Sequence, residues 1–188
     1  MRVNVIRLLQ VAAMLILMSG CSAPPQPSQL SVNGQQVSLA LYRGLVAAEQ
    51  QKLERTGIRI GWTSASGRHR LAQLQSSVIR QLVRSSVIEQ LARARGLSVS
   101  PDEAGRAMAR VQESLGGSSN FAAALAQAGT AETTFAQVLR DHLLEAKLRQ
   151  ALGSGFAHTL DRALSSARVV AIVGPCDGRS SYPSCLVP

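Results

Sequence analysis

Aromatic residues are scarce: Tyr42, Trp62, Phe121, Phe135, Phe156 and Tyr182 make up 3% of 188 residues. A β-sandwich or barrel draws on aromatic and β-branched side chains, so this scarcity beside 46% hydrophobic content disfavours an all-β core. The fold class expected is mainly α, with helices packed through Leu, Ala and Val, and the same content excludes disorder throughout. Acid is also short. Against 11 Asp and Glu stand 20 Lys and Arg, a formal +9, and only Lys52 and Lys147 are lysines. No long hydrophobic run is present: Leu8 to Met18, broken by Gln10, would span about 16 Å as a helix, half of a ~30 Å hydrocarbon core.

The motifs of common enzymes are missing too. There is no phosphate-binding Gly-x-x-x-x-Gly-Lys loop, no Gly-x-Gly-x-x-Gly turn and no Gly-x-Ser-x-Gly elbow. His69, His142 and His158 stand alone, outside any ligand spacing, and Asp141-His142 point about 100° apart on a helix. Neither an enzymatic activity, a metal nor a cofactor is expected. Nucleic acid is a poor partner for a chain with an export signal and no reading motif.

That signal is what the first residues supply. Arg2 and Arg7 precede the apolar stretch, and Ser19-Gly20-Cys21 follow it. Leu17-Met18-Ser19-Gly20-Cys21 resembles the lipobox of bacterial lipoproteins, with Met18 where Leu is commoner. The resemblance implies a signal peptide over 1–20 and lipidation of Cys21; an ordinary secreted protein with an unused Cys21 is the alternative. Cleavage leaves 168 residues and removes Arg2 and Arg7, lowering the charge from +9 to +7. Residues 21–29, rich in Pro, Ser and Gln, form a tether, and the chain is expected at the extracytoplasmic face of a membrane, held by lipid. Cys176 and Cys185 are most simply a disulfide in that compartment, closing a tail over 176–188; a metal site or redox pair is the competing reading, without Cys-x-x-Cys or a nearby His to support it.

Between them, a body over 30–175 shows local signals. Asn33-Gly34 between short alternating segments marks a hairpin. Ser38 caps a helix from Leu39 to Arg55, and a long helix from about Gly67 to Arg95 carries Leu82, Val83, Val87 and Ile88 on several faces, so it is central. Ser100-Pro-Asp-Glu103 is a capping box. Further helices are expected over Phe121 to Ala128, from a Thr130 cap to Leu152, and over Phe156 to Ser165. The β-branched run Arg168 to Val173 is expected to pair with the hairpin, giving a small β element from both chain ends. Glu89–Arg93, Asp102–Arg106 and Glu145–Arg149 have ion-pair spacing on a helix. Gly67 to Gly96 holds six arginines against Glu89; this face either contacts anionic lipid or an acidic polymer, or is simply solvated.

The stretch Gln81 to Glu103, with Leu82-Val83, Val87-Ile88, Ala92 and Gly96 before the capped helix, resembles the SurA N-terminal domain family of extracytoplasmic chaperones. Gly129 to Phe135, Leu139 to Leu144, Lys147-Leu148 and Val32-Asn-Gly34 continue the similarity, over about 31–173. The resemblance implies ATP-independent binding of unfolded or exported polypeptides. Longer members carry a parvulin-type isomerase domain, which needs roughly 100 residues and is not expected in the short stretch after Val173. Client-lining candidates are Met108, Leu115, Phe121 and Leu125, on short Gly-bounded helices; the other reading of each is core. A structural or adaptor lipoprotein that binds one envelope partner through a helical groove or the arginine face is the rival function.

Overall fold

A computed structural model describes residues 28–57 and 59–188; Cys21 and the signal and tether residues before Ser28 lie outside them. Strand β1 (Gln29–Val32) turns at Asn33-Gly34 into β2 (Gln35–Gln36). Both turn residues have positive φ, 53° and 80°, the twist that a two-residue hairpin requires and that Asn and Gly adopt most readily. Asn33 also fastens the hairpin to the body. Its amide nitrogen donates to Gln90 Oε1 at 2.7 Å, and its side-chain oxygen accepts from the Arg168 backbone N–H at 2.8 Å.

Helix α1 (Leu39–Arg55) starts where Ser38 Oγ accepts from Leu41 N–H. Helix α2 (Ala65–Arg93) is capped by Ser64 and runs 29 residues, about 44 Å. Its buried residues, Val78, Ile79, Leu82, Val83, Val87, Ile88 and Ala92, circle the helix because α1, α5, α6 and β1 pack around it. Helix α3 (Pro101–Ser114) has the full capping box, Ser100 accepting from Glu103 N–H while Glu103 accepts from Ser100 N–H. Then follow α4 (Ser118–Ala128), α5 (Glu132–Leu152), a 3₁₀ turn at Gly153–Gly155 and α6 (Phe156–Ser166). Strand β3 (Val169–Ile172) pairs antiparallel with β1, Leu30 opposite Ala171, so the sheet order is β2-β1-β3 and both chain ends build it, as expected. The described chain is mainly α with that small sheet.

Some local expectations shift. The cap expected at Thr130 falls on Ala131, which has no capping side chain, because Thr130 Oγ1 turns back to donate to the Ala128 carbonyl. Helix α4 opens at Ser118 after Gly117, earlier than Phe121. The strand at the start of the body begins at Gln29.

The core gathers Leu30, Val32, Ile79, Val83, Val87, Leu148, Phe156 and Leu160. Residues 176–188 pack onto it. Cys176 is fully buried and disulfide-bonded to Cys185, Tyr182 and Leu186 lie against the core, and Val187 N–H donates to the buried Ser76 hydroxyl at 2.8 Å.

One close approach is set by a missing side chain. A Cβ on Gly67 would meet the Gly61 carbonyl oxygen well inside contact distance and lie 2.8 Å from Trp62 Cα. Gly67→Ala is expected to cost about 2 kcal/mol as the 61–64 turn is pushed off α2. Trp62 is the sole tryptophan and donates to Glu54 at 2.8 Å, so its emission should shift red; unchanged emission and stability would refute the packing argument.

Candidate functional site

Among the described residues lies a groove of about 670 Å³. One wall is β2 and the first turn of α1, from Gln35 to Leu41, with Gly44 one turn on; the opposite wall is the start of α5, from Ala131 to Asp141, and α2 supplies the floor with Leu82, Ser85, Ser86 and Glu89. The walls stand close because Gly44 has no side chain: a Cβ there would lie 2.8 Å from the Thr134 hydroxyl. Two smaller cavities adjoin it. One shares Leu41, Leu82, Ser85 and Asp141, the other Glu89, Gln137 and Asp141, so a continuous furrow follows the α2–α5 seam with Asp141 common to all three.

Its walls are half apolar, half amide and hydroxyl. Two carboxylates line it, Glu89 on the floor and Asp141 on the α5 wall. Glu89 is met by Arg93 at 2.6 Å and accepts from Gln35 at 3.3 Å. Asp141 accepts from Gln137 at 2.8 Å and has no cation within ion-pair distance among the described residues. Burial pushes the Asp141 carboxyl above its ordinary range, with Glu89 adding to the rise, against the hydrogen bonds from Gln137 and Ser85.

Just beyond, the furrow is braced by paired ions. Arg84 forms a two-pronged bond to Glu145, at 2.7 and 2.9 Å, and Glu145 also accepts from Arg149. The hydrogen bond from Arg84 chiefly holds the Glu145 carboxyl down at about 2. Lys147 does the same for Glu103, bonding it and the Ser98 carbonyl and so tying α3 to α5. Of the pairs expected from spacing, Glu89–Arg93 and Glu145–Arg149 form; Asp102–Arg106 is not an ion pair among the described residues, the neighbouring Glu103 pairing across to α5 instead.

A depressed carboxylate stabilises the fold above its unfolded pKa and loses that contribution as pH falls through the folded one. For Glu145 the window is therefore about pH 4.5 down to 2. Glu145→Gln should flatten the stability decline across that window in urea titrations at stepped pH; an unchanged slope would refute the bridging role.

The sequence-derived client residues lie elsewhere. Phe121 is buried and meets Phe135 edge-on at 5.3 Å. Leu115 is 42% exposed at the end of α3, while Met108 and Leu125 are half-buried. None of the four borders the groove. The arginines of 67–96 are divided as well: Arg84 and Arg93 are in ion pairs, Arg68 and Arg95 bond backbone carbonyls, and Arg70 and Arg80 stand exposed. His142 is exposed and has no hydrogen-bonding partner among the described residues.

Among the described residues, six helices are clasped by a small sheet built from both ends of the described chain, beside an open furrow, and no cluster of three or more metal-ligating residues occurs. A family model described as SurA-like N-terminal domain matches residues 3–149, a span that includes every groove residue, and the chain belongs to that family. Membership places it among chaperone-related, extracytoplasmic proteins. No curated protein and no solved structure matches the chain. No helix among the described residues is long and apolar enough to cross a membrane.

Proposed function

We propose that the chain is a membrane-anchored lipoprotein, acylated at Cys21, that holds unfolded or exported polypeptides without ATP and performs no enzymatic reaction. The observation that carries this reading is the furrow itself, long, open and lined by apolar side chains alternating with amides and hydroxyls, within the span shared with the chaperone-related family. Such a lining suits an extended chain, whose backbone needs hydrogen-bond partners at intervals and whose side chains need shallow apolar seats. Contacts of this kind are weak and tolerant of sequence, as a holding function requires. Acyl chains on Cys21 would keep the body near the membrane where exported chains emerge, since two or more chains anchor durably where one does not. Arg70 and Arg80 remain free for anionic headgroups.

Ala40 is exposed on the groove wall. Ala40→Trp should leave the far-ultraviolet circular dichroism unchanged while abolishing the chain's ability to slow aggregation of a reduced, unfolded client. Equal protection by both forms would remove the groove from the function, and no protection by either would remove the function. Mass spectrometry of the membrane fraction tests the anchor: the expected product starts at an acylated Cys21.

A further inference from the structure

We infer that the groove selects segments carrying a lysine or arginine, whose cationic head pairs with Asp141; this rests on the groove being the client site. The protein as a whole is strongly basic, yet among the described residues the carboxylate at the centre of its furrow has no cation within ion-pair distance. Among the described residues, the charges of α2 around it are paired, while those beside it on α5 do not reach it. On α2, Glu89 is paired with Arg93 and Arg84 with Glu145; on α5, Arg140 and His142 flank Asp141 without reaching it, and α1 offers only the uncharged Ala40, Leu41, Gly44 and Leu45. The hydrogen bond from Gln137 orients Asp141 but does not neutralise it.

A carboxylate taken from water without a counter-charge is costly to the folded state, and an incoming ammonium or guanidinium removes that cost while gaining a charge-assisted hydrogen bond. The positive ends of α1 and α5 do not oppose this, since Asp141 lies nine residues into α5, about 14 Å along its axis, and the dipole acts within the first turn. The raised Asp141 carboxyl fits the same picture, because burial outweighs what Gln137, Ser85 and the neighbouring His142 do to stabilise its charged form. Leu41, Leu82 and Val138 beside it would seat the aliphatic stem of the cationic side chain.

The test uses the full chain in detergent micelles and two fluorescent peptides of Leu, Ala, Ser and Gly, identical except for a central lysine or norleucine. The lysine peptide is expected to bind about tenfold more tightly, and Asp141→Asn to erase that preference without weakening the norleucine peptide. Asp141→Asn should melt no lower than the parent at pH 7, which separates lost recognition from lost folding. Equal binding of the two peptides by the parent chain overturns the inference and leaves the groove reading standing. A lysine preference that survives Asp141→Asn also overturns it, placing the cation elsewhere, and failure of both peptides to bind overturns the inference together with the groove reading.

Discussion

Leu148→Ala should lower the unfolding free energy by about 3 kcal/mol, a large share of the roughly 5–15 kcal/mol that holds a domain of ordinary stability. Leu148 is fully buried on α5 and belongs to the same cluster as Leu82, Val83 and Ile88 of α2. Removing three carbons there forfeits the transfer of the side chain from water and leaves a hole that two long helices cannot close without shifting their seam. The groove lies along that seam, so client binding should weaken along with stability. Urea unfolding followed by circular dichroism measures the first effect: the midpoint should fall with the slope unchanged. A loss below about 1 kcal/mol would mean that α2 and α5 can collapse onto the hole, and the seam is not the rigid frame described.

Reduction of the Cys176–Cys185 disulfide should cost about 2.7 kcal/mol, from the entropy of closing its ten-residue loop. The cost reaches beyond the loop. The bonds from Val187 N–H to Ser76 and from Gln73 to the Pro188 carbonyl depend on the tail lying along α2, and once it leaves, the buried Ser76 hydroxyl meets water or goes unpaired. Comparing thermal unfolding of the oxidised and reduced chain isolates the effect without introducing a new side chain. Hydrogen exchange should show protection lost at Val187 ahead of the core helices. Coincident melting of the two forms would show that burial of Tyr182 and Leu186 alone secures the tail.

Much of the architecture was legible in the residues because its signals are short. The Ser38 cap, the Ser100–Glu103 box and the Asn33-Gly34 turn each operate over three or four positions, and each occurs where the sequence places it. Ser64 caps α2 by the same three-residue spacing, its hydroxyl accepting from Gly67 N–H. The expected cap at Thr130 failed because its hydroxyl had a second local partner, and the choice between two neighbouring backbone groups depends on how α4 meets α5.

The site was less legible. Met108, Leu115, Phe121 and Leu125 were natural candidates because apolar side chains on short helices between glycines promise an open face. Which face is open depends on what lies across from it, and Phe135 lies across from Phe121. Asp141 carried only a weak mark in the sequence, as one member of an adjacent Asp-His pair with no catalytic geometry.

The sequence by itself determined the helix starts at Ser38 and Ser100, the hairpin, the central standing of α2 and the family, since each rests on neighbouring residues or on a periodicity read along one segment. Only the tertiary structure decided which charges pair and which does not. Arg84 and Glu145 are 61 positions apart, Lys147 and Glu103 are 44 apart, and the walls of the groove come from segments nearly a hundred residues distant. Coulomb energy and burial depend on distance through space, and for such residues that distance exists only once α1, α2 and α5 have packed.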